Sequence, residues 1–181
     1  GATSEFKLAD YRYIGMGSFW FADFILAHKY LTIKDLVSIE KANLAPRAEF
    51  NRPLRCIRIE PGDSTYVLPT LGLGDKMSIV WLDYDSDLRG PVFDDFSIAC
   101  AELAPGSILL ATVNAHVGQL MAQGETKVEA LNRLAPNLAP LDLKESSLTL
   151  NKFPGTLATV LFNHAKHVVQ DANPDYLFAP I

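Results

Sequence analysis

The stretch Tyr11-Arg12-Tyr13-Ile14-Gly15-Met16-Gly17-Ser18, with the apolar run after it, decides the fold. Tyr11–Gly15 is short, aromatic and β-prone, and it ends in two glycines one residue apart. Residues 19–31 (FWFADFILAHKYL) are apolar with a few polar positions and are predicted to form a helix, with Ser18 as N-cap. Glycines permit a tight turn and let a ligand approach where a Cβ would block it. The N-terminus of the following helix is partly positive. Alone, a Gly-x-Gly turn is a weak signal, because many such turns bind nothing. Its place between a strand and a helix gives it weight.

The segments downstream repeat the alternation. Asp35–Glu40 (DLVSIE) suits a buried parallel strand, and residues 41–53 a loop or short helix closed by Asn51-Arg52-Pro53. Leu54–Ile59 reads as a third strand, Gly62-Asp63-Ser64 as a turn, and the residues up to Pro69 as a short helix. Met77–Tyr84 (MSIVWLDY) is the strongest buried strand and runs into Asp83-Tyr84-Asp85-Ser86-Asp87. Pro91 opens a helix through Leu103, and Ser107–Val113 is a fifth strand. Residues 117–135 read as a helix or a broken pair, and 136–153 are punctuated by prolines. Thr156–Asp171 is a late helix, and Tyr176–Phe178 begins a final apolar strand. The pattern predicts an α/β fold: a doubly wound, mostly parallel sheet with helices on both faces.

Composition narrows the function classes. The chain has 181 residues, about one domain's length, with residues 7–181 expected as a single α/β domain. Residues 1–6 resemble a tag remnant. At 49% hydrophobic and 20% charged, the chain is no disordered, collagen-like or coiled-coil sequence. The net charge of −5 disfavours unaided nucleic-acid binding, which needs Lys and Arg to displace counterions. Cys56 and Cys100 are too few for a disulfide framework, so a reduced, cytoplasmic setting is expected. Asp23, His28 and Lys29 break the longest apolar run, so no transmembrane helix is expected.

Open parallel sheets bind ligands beyond the carboxyl ends of their strands, where the strand order reverses. That rule selects the candidate residues. Gly15, Gly17 and Ser18 follow the first strand. Glu40 ends the second and could accept both hydroxyl protons of a ribose; the alternative is an exposed strand-end acid. Asp63 and Ser64 follow the third strand and could flank a base or simply cap an Asx-type turn. Asp83, Tyr84 and Asp85 place carboxylates and a phenol at the mouth of the fourth strand, where partial burial would make a general base; a solvated loop is the alternative. His164 and His167 lie at i, i+3 with no obvious third ligand, so no metal site is expected. His116 suits capping, and Cys56 and Cys100 suit small core positions. Phe19, Trp20, Phe21 and Phe24 are expected in the core, with Phe19 or Trp20 able to wall a pocket.

Taken together, Tyr13-Ile-Gly15-Met-Gly17-Ser18, Val37-Ser-Ile-Glu40 and Trp81-Leu-Asp83-Tyr-Asp85 resemble the motifs of Rossmann-like S-adenosylmethionine-dependent methyltransferases over about residues 11–116. More narrowly they resemble bacterial proteins labelled O-methyltransferases. The resemblance implies S-adenosylmethionine as cofactor. It implies a glycine loop at Gly15, Gly17 and Ser18 for the methionine part, Glu40 for the ribose, and Asp63 and Ser64 beside the adenine. Asp83 is implied near the reactive methyl, with Asp83, Tyr84 or Asp85 orienting or deprotonating a small-molecule or macromolecular acceptor. Two departures stand out. Tyr13 occupies the position usually held by an acid, and the chain stops inside the closing antiparallel hairpin, as if the last strand were missing. Either the sequence is cut short, or a second copy of the chain completes that sheet edge as a homodimer. Two rival readings remain beside the enzyme: a catalytically inactive nucleoside- or protein-binding module of the same fold, and a dinucleotide-dependent oxidoreductase. Trp20 argues against the second rival, since it stands where the third glycine of the dinucleotide fingerprint would fall.

Overall fold

The computed structural model describes residues 7–17, 19–86, 88, 90–116 and 121–180. Five strands form one sheet: β1 (Arg12–Met16), β2 (Asp35–Glu40), β3 (Ile57–Pro61), β4 (Ser78–Asp83) and β5 (Ile108–Thr112), in the order β3-β2-β1-β4-β5. β1 pairs in parallel with β2 on one side and β4 on the other, and β2 pairs in parallel with β3. The chain thus moves outward from β1 to β3 and then returns to the far side of β1, so the order reverses at β1. Burial on both faces explains the composition of the central strands: Tyr13, Ile14, Leu36, Val37, Ile39, Ile79, Val80 and Leu82 are all buried.

The chain divides into two compact units, Gly1–Asp83 with Glu102–Ala111, and Tyr84–Ala101 with Thr112–Ile181. The first holds nearly all of the sheet with α1 (Ala22–Leu31), α2 (Ala45–Asn51) and the one-turn α3 (Ser64–Val67). Its core joins Tyr11, Tyr13, Phe21, Phe24, Ala27, Ile33, Leu36, Ile57 and Ile79. Phe24 meets Tyr13 edge-on at 5.1 Å between ring centroids and Phe21 at 5.5 Å. The predicted helix start needs correction. α1 begins at Ala22, and its N-cap is Phe21 in the left-handed region (φ 49°), not Ser18, which lies outside the described residues. Phe21 is fully buried, and burying its ring offsets a backbone conformation that a non-glycine residue rarely adopts. Cys56 is half-buried and free.

The second unit contains most of α4 (Gly90–Glu102), with α5 (Lys127–Leu134) and α6 (Phe153–Ala172). Its core gathers Leu88, Val92, Ala130, Leu131, Leu148, Phe153, Leu157 and Val160. A capping box starts α5: Thr126 accepts from the Glu129 N–H while Glu129 accepts from the Thr126 N–H. His164 on α6 meets the Ser97 hydroxyl on α4 at 2.7 Å and stacks edge-on with Phe93, so it is a half-buried packing residue. Free Cys100 is half-buried, and burial pushes its thiol pKa up to about 12. The strand expected at Tyr176–Phe178 does not form: the Tyr176 N–H closes a turn on the Asn173 carbonyl, and Phe178 packs its ring on Phe162 of α6, 5.4 Å between centroids. Residues 117–120 of the segment expected to be helical lie outside the described residues.

Two outcomes follow from this packing. Phe24→Ala should cost about 3–5 kcal/mol, the usual loss for a fully buried Phe, read as a shift in the denaturant midpoint. His164 is held below the ordinary imidazole value, chiefly by burial and further by His167. The unfolded chain therefore binds that proton first, and stability falls as pH drops below about 6.5. Thermal midpoints measured from pH 7 to 5 should fall more steeply in the wild type than in His164→Gln.

Candidate active site

The reversal of strand order at β1 directs attention to the carboxyl ends of β1 and β2. Their register pairs Gly15 with Ser38 and Met16 with Ile39, and the Gly17 N–H donates to the Ile39 carbonyl at 3.0 Å. Gly17 and Glu40 are thereby brought side by side. A Cβ placed on Gly17 would collide with the Glu40 carboxylate. The glycine is therefore required by this acid, apart from any need for backbone freedom. Glu40 is 8% exposed, so it is not the exposed strand-end acid that was the alternative. Its carboxylate accepts a long hydrogen bond, 3.5 Å, from the Ser38 hydroxyl. Burial raises its pKa above the ordinary carboxylate value, and the Ser38 bond only partly opposes that.

Beside this pair lies a cavity of about 220 Å³ lined by Gly17, Phe19, Trp20, Glu40, Leu44 and Ala48. Leu44 and Ala48 come from the start of α2, so the helix after β2 closes one wall. Phe19 and Trp20 form another. The Arg47 guanidinium sits 4.2 Å over the Phe19 ring, while Trp20 is 83% exposed. Trp20 thus walls a pocket instead of entering the core. The size suits part of a ligand, below the range of roughly 300–1,000 Å³ for drug-sized molecules. One acid on an otherwise apolar lining suits a flat ring system carrying hydroxyl donors.

Gly15 is close-packed in a different way. A Cβ there would lie 3.1 Å from the Tyr13 ring, from Phe24 and from Asp23 Oδ2. The Tyr13 hydroxyl donates to Asp23 Oδ2 at 2.6 Å. Burial first, then the Asp23 carboxylate, and then the charge of Asp83 keep this phenol protonated far above its ordinary range. Asp83 ends β4 and is exposed.

The other candidates fall as follows. The Glu40 carbonyl accepts from the Gly62 N–H at 2.7 Å, which fixes the turn that carries Asp63 and Ser64. Asp63 is exposed and N-caps α3 through its backbone carbonyl, which accepts from Tyr66 and Val67; its side chain makes no capping bond. Ser64 is half-buried at the first position of α3. Ser18 lies outside the described residues. Tyr84 and Asp85 belong to the second unit. There the Tyr84 N–H donates to the Thr112 carbonyl, the Tyr84 hydroxyl makes a very short bond to Asp95, and Asp85 is exposed.

Three residues with chemical weight went unread in the sequence. Asp23 appeared only as an interruption of an apolar run, yet it stands in the first turn of α1 beside the glycines. Asp95 is fully buried, and a signal was present: it falls on the apolar stripe Val92, Phe96 and Ala99 of α4, where an acid needs a partner. Arg47, on α2, carried none. Among the described residues no group of three His, Cys, Asp or Glu could hold a metal ion, and no helix is long and apolar enough to cross a membrane.

No curated protein and no solved structure matches this chain. A family model described as "Putative O-methyltransferase" matches residues 2–180. With the parallel sheet whose order reverses at β1 and the glycine–acid pair at its carboxyl edge, the chain belongs to that O-methyltransferase family.

Proposed function

We propose that this chain transfers the methyl group of S-adenosylmethionine to an oxygen acceptor, with the donor held at the carboxyl ends of β1 and β2. The observation that carries this reading is the desolvated Glu40 carboxylate, pressed against Gly17 at the edge of an apolar cavity. Such a carboxylate is short of hydrogen-bond donors, and the two hydroxyls of a ribose would supply them. The residues present fit the cofactor. Gly15 leaves room for Tyr13, Phe24 and Asp23 and Gly17 for the Glu40 carboxylate, Glu40 takes the ribose, and Leu44, Ala48, Phe19 and Trp20 offer apolar surface. Asp63 and Ser64, on the turn tied to the Glu40 carbonyl, flank the adenine.

Bound S-adenosylmethionine supplies an electrophilic methyl on sulfur. The protein's part is mainly positioning, because attack must come in line with the bond that breaks. Asp83, at the exposed end of β4 and near Tyr13, is placed to orient the acceptor hydroxyl or take its proton. Tyr84 keeps its hydroxyl on Asp95, so of the three residues read as catalytic Asp83 carries the proposal furthest. The free state of Cys56 and Cys100 supports a reducing, cytoplasmic setting.

Calorimetry on the full chain with S-adenosylmethionine and S-adenosylhomocysteine should show saturable binding of both. Absence of binding to either would overturn the reading. Glu40→Gln should weaken both about tenfold or more, the scale of hydrogen bonds to a charged group. The same change should raise stability near neutral pH. The raised pKa of Glu40 means that the folded chain holds this proton more tightly, so stability falls as pH rises from the ordinary carboxylate range through the raised value. Glu40→Gln removes that loss, read as a higher thermal midpoint at pH 7. At a pH low enough for Glu40 to hold its proton, a donor that binds the ionised acid should release that proton, seen as a binding enthalpy that varies with the buffer's ionisation enthalpy.

A further inference from the structure

One cation beside the cavity has a ring for its partner. Leu44, the N-cap of α2, and Ala48 line the cavity, and Arg47 stands between them in the chain. The N–H groups of Arg47 and Ala48 both donate to the Leu44 carbonyl at 3.0 Å, so the helix fixes where the Arg47 side chain starts. Its guanidinium reaches the opposite wall and sits 4.2 Å over the ring of Phe19, itself a lining residue. Among the described residues Arg47 forms no ion pair. Glu49, the acid of its own helix, is taken by Arg52 at 3.1 Å, which leaves the guanidinium to the ring. Trp20, the second aromatic on that wall, is 83% exposed against 48% for Phe19, and among the described residues no cation rests on it. One aromatic of the pair is therefore held across the cavity, and the other is not.

A ligand that must itself order a wall side chain loses affinity, roughly two- to tenfold for each side chain it immobilises. A cation over an aromatic face supplies attraction of the same order, and the flat guanidinium suits a ring face. Resting on the donor site proposed above, we infer that Arg47 is a positioning residue that holds the Phe19 ring as a standing wall, so that the donor meets an apolar surface already formed. Arg47 acts through the ring and touches neither the donor nor Glu40. The short helix after β2 then serves both sides of the cavity: Leu44 and Ala48 form one wall directly, and Arg47 fixes the other at a distance.

The test is a double-mutant cycle on the full chain, with S-adenosylhomocysteine as the probe and calorimetry as the readout. Arg47→Met keeps an unbranched apolar stem without the charge and should weaken binding roughly two- to tenfold. Arg47→Lys returns a cation to the ring and should recover most of that loss. Phe19→Leu keeps an apolar wall without the ring and should weaken binding by a similar factor. Arg47→Met added to Phe19→Leu should then change affinity by less than about twofold, because the two residues act as one unit. The same loss from Arg47→Met with and without the Phe19 ring would show that Arg47 acts by another route and overturn the inference. Wild-type affinity in Arg47→Met, or no recovery in Arg47→Lys, would overturn it as well while leaving the donor site standing. Failure of the wild type to bind S-adenosylhomocysteine would overturn the donor site itself and this inference with it.

Discussion

The contact between Gly17 and the Glu40 carboxylate is the constraint on which the rest depends. Parallel pairing of β1 with β2 sets the register, and that register delivers the residue after β1 and the last residue of β2 to the same place. The acid can sit there only because residue 17 has no Cβ. Once seated, it is desolvated by the walls from α2 and by the aromatic pair Phe19 and Trp20. The same geometry that costs stability, a buried carboxylate with one long hydrogen bond, makes the acid receptive to hydroxyl donors. Stability and ligand affinity are therefore opposed at this residue.

A second acid at the same edge obeys different rules. Asp23 accepts from the Tyr13 hydroxyl, so it is tied to the central strand rather than left short of donors. The two acids are distinguished by their neighbours, not by their chemistry. In the second unit the same logic is closed on itself: buried Asp95 is satisfied by Tyr84, and His164 by Ser97. Those pairs tie α4 to its surroundings inside that unit, where a buried polar group with a partner fixes packing without offering itself to a ligand.

How much of this was legible in the residues depends on range. Asp35–Glu40 was readable to the residue, because a strand buried on both faces is a continuous apolar run between polar ends. The alternation of strands and helices, and the placing of Gly17 and Glu40 at the carboxyl ends of β1 and β2, followed from spacing and the switch-point rule; that the Glu40 carboxylate fills the space of a Cβ on Gly17 did not. The start of α1 was misread because Ser18 is a good cap, while the deciding term was burial of Phe21 in a strained turn. Asp23 was missed for a related reason. Its meaning comes from Tyr13, ten residues earlier, and only the fold brings a strand's phenol to a helix's first turn. Where a last strand was expected, the chain turns at Asn173–Tyr176 and Phe178 rests its ring on Phe162 of α6, a tertiary contact no local pattern announces.

The central claim is that the carboxyl ends of β1 and β2 form the donor site. Its most direct test is a titration of the isotope-labelled full chain with S-adenosylhomocysteine, followed by backbone amide NMR. The account predicts saturable shifts concentrated at Gly15, Gly17, Glu40, Gly62 and Asp63. Saturable binding with shifts confined to residues away from these strand ends, or no shifts at ligand concentrations well above the protein's, would contradict it.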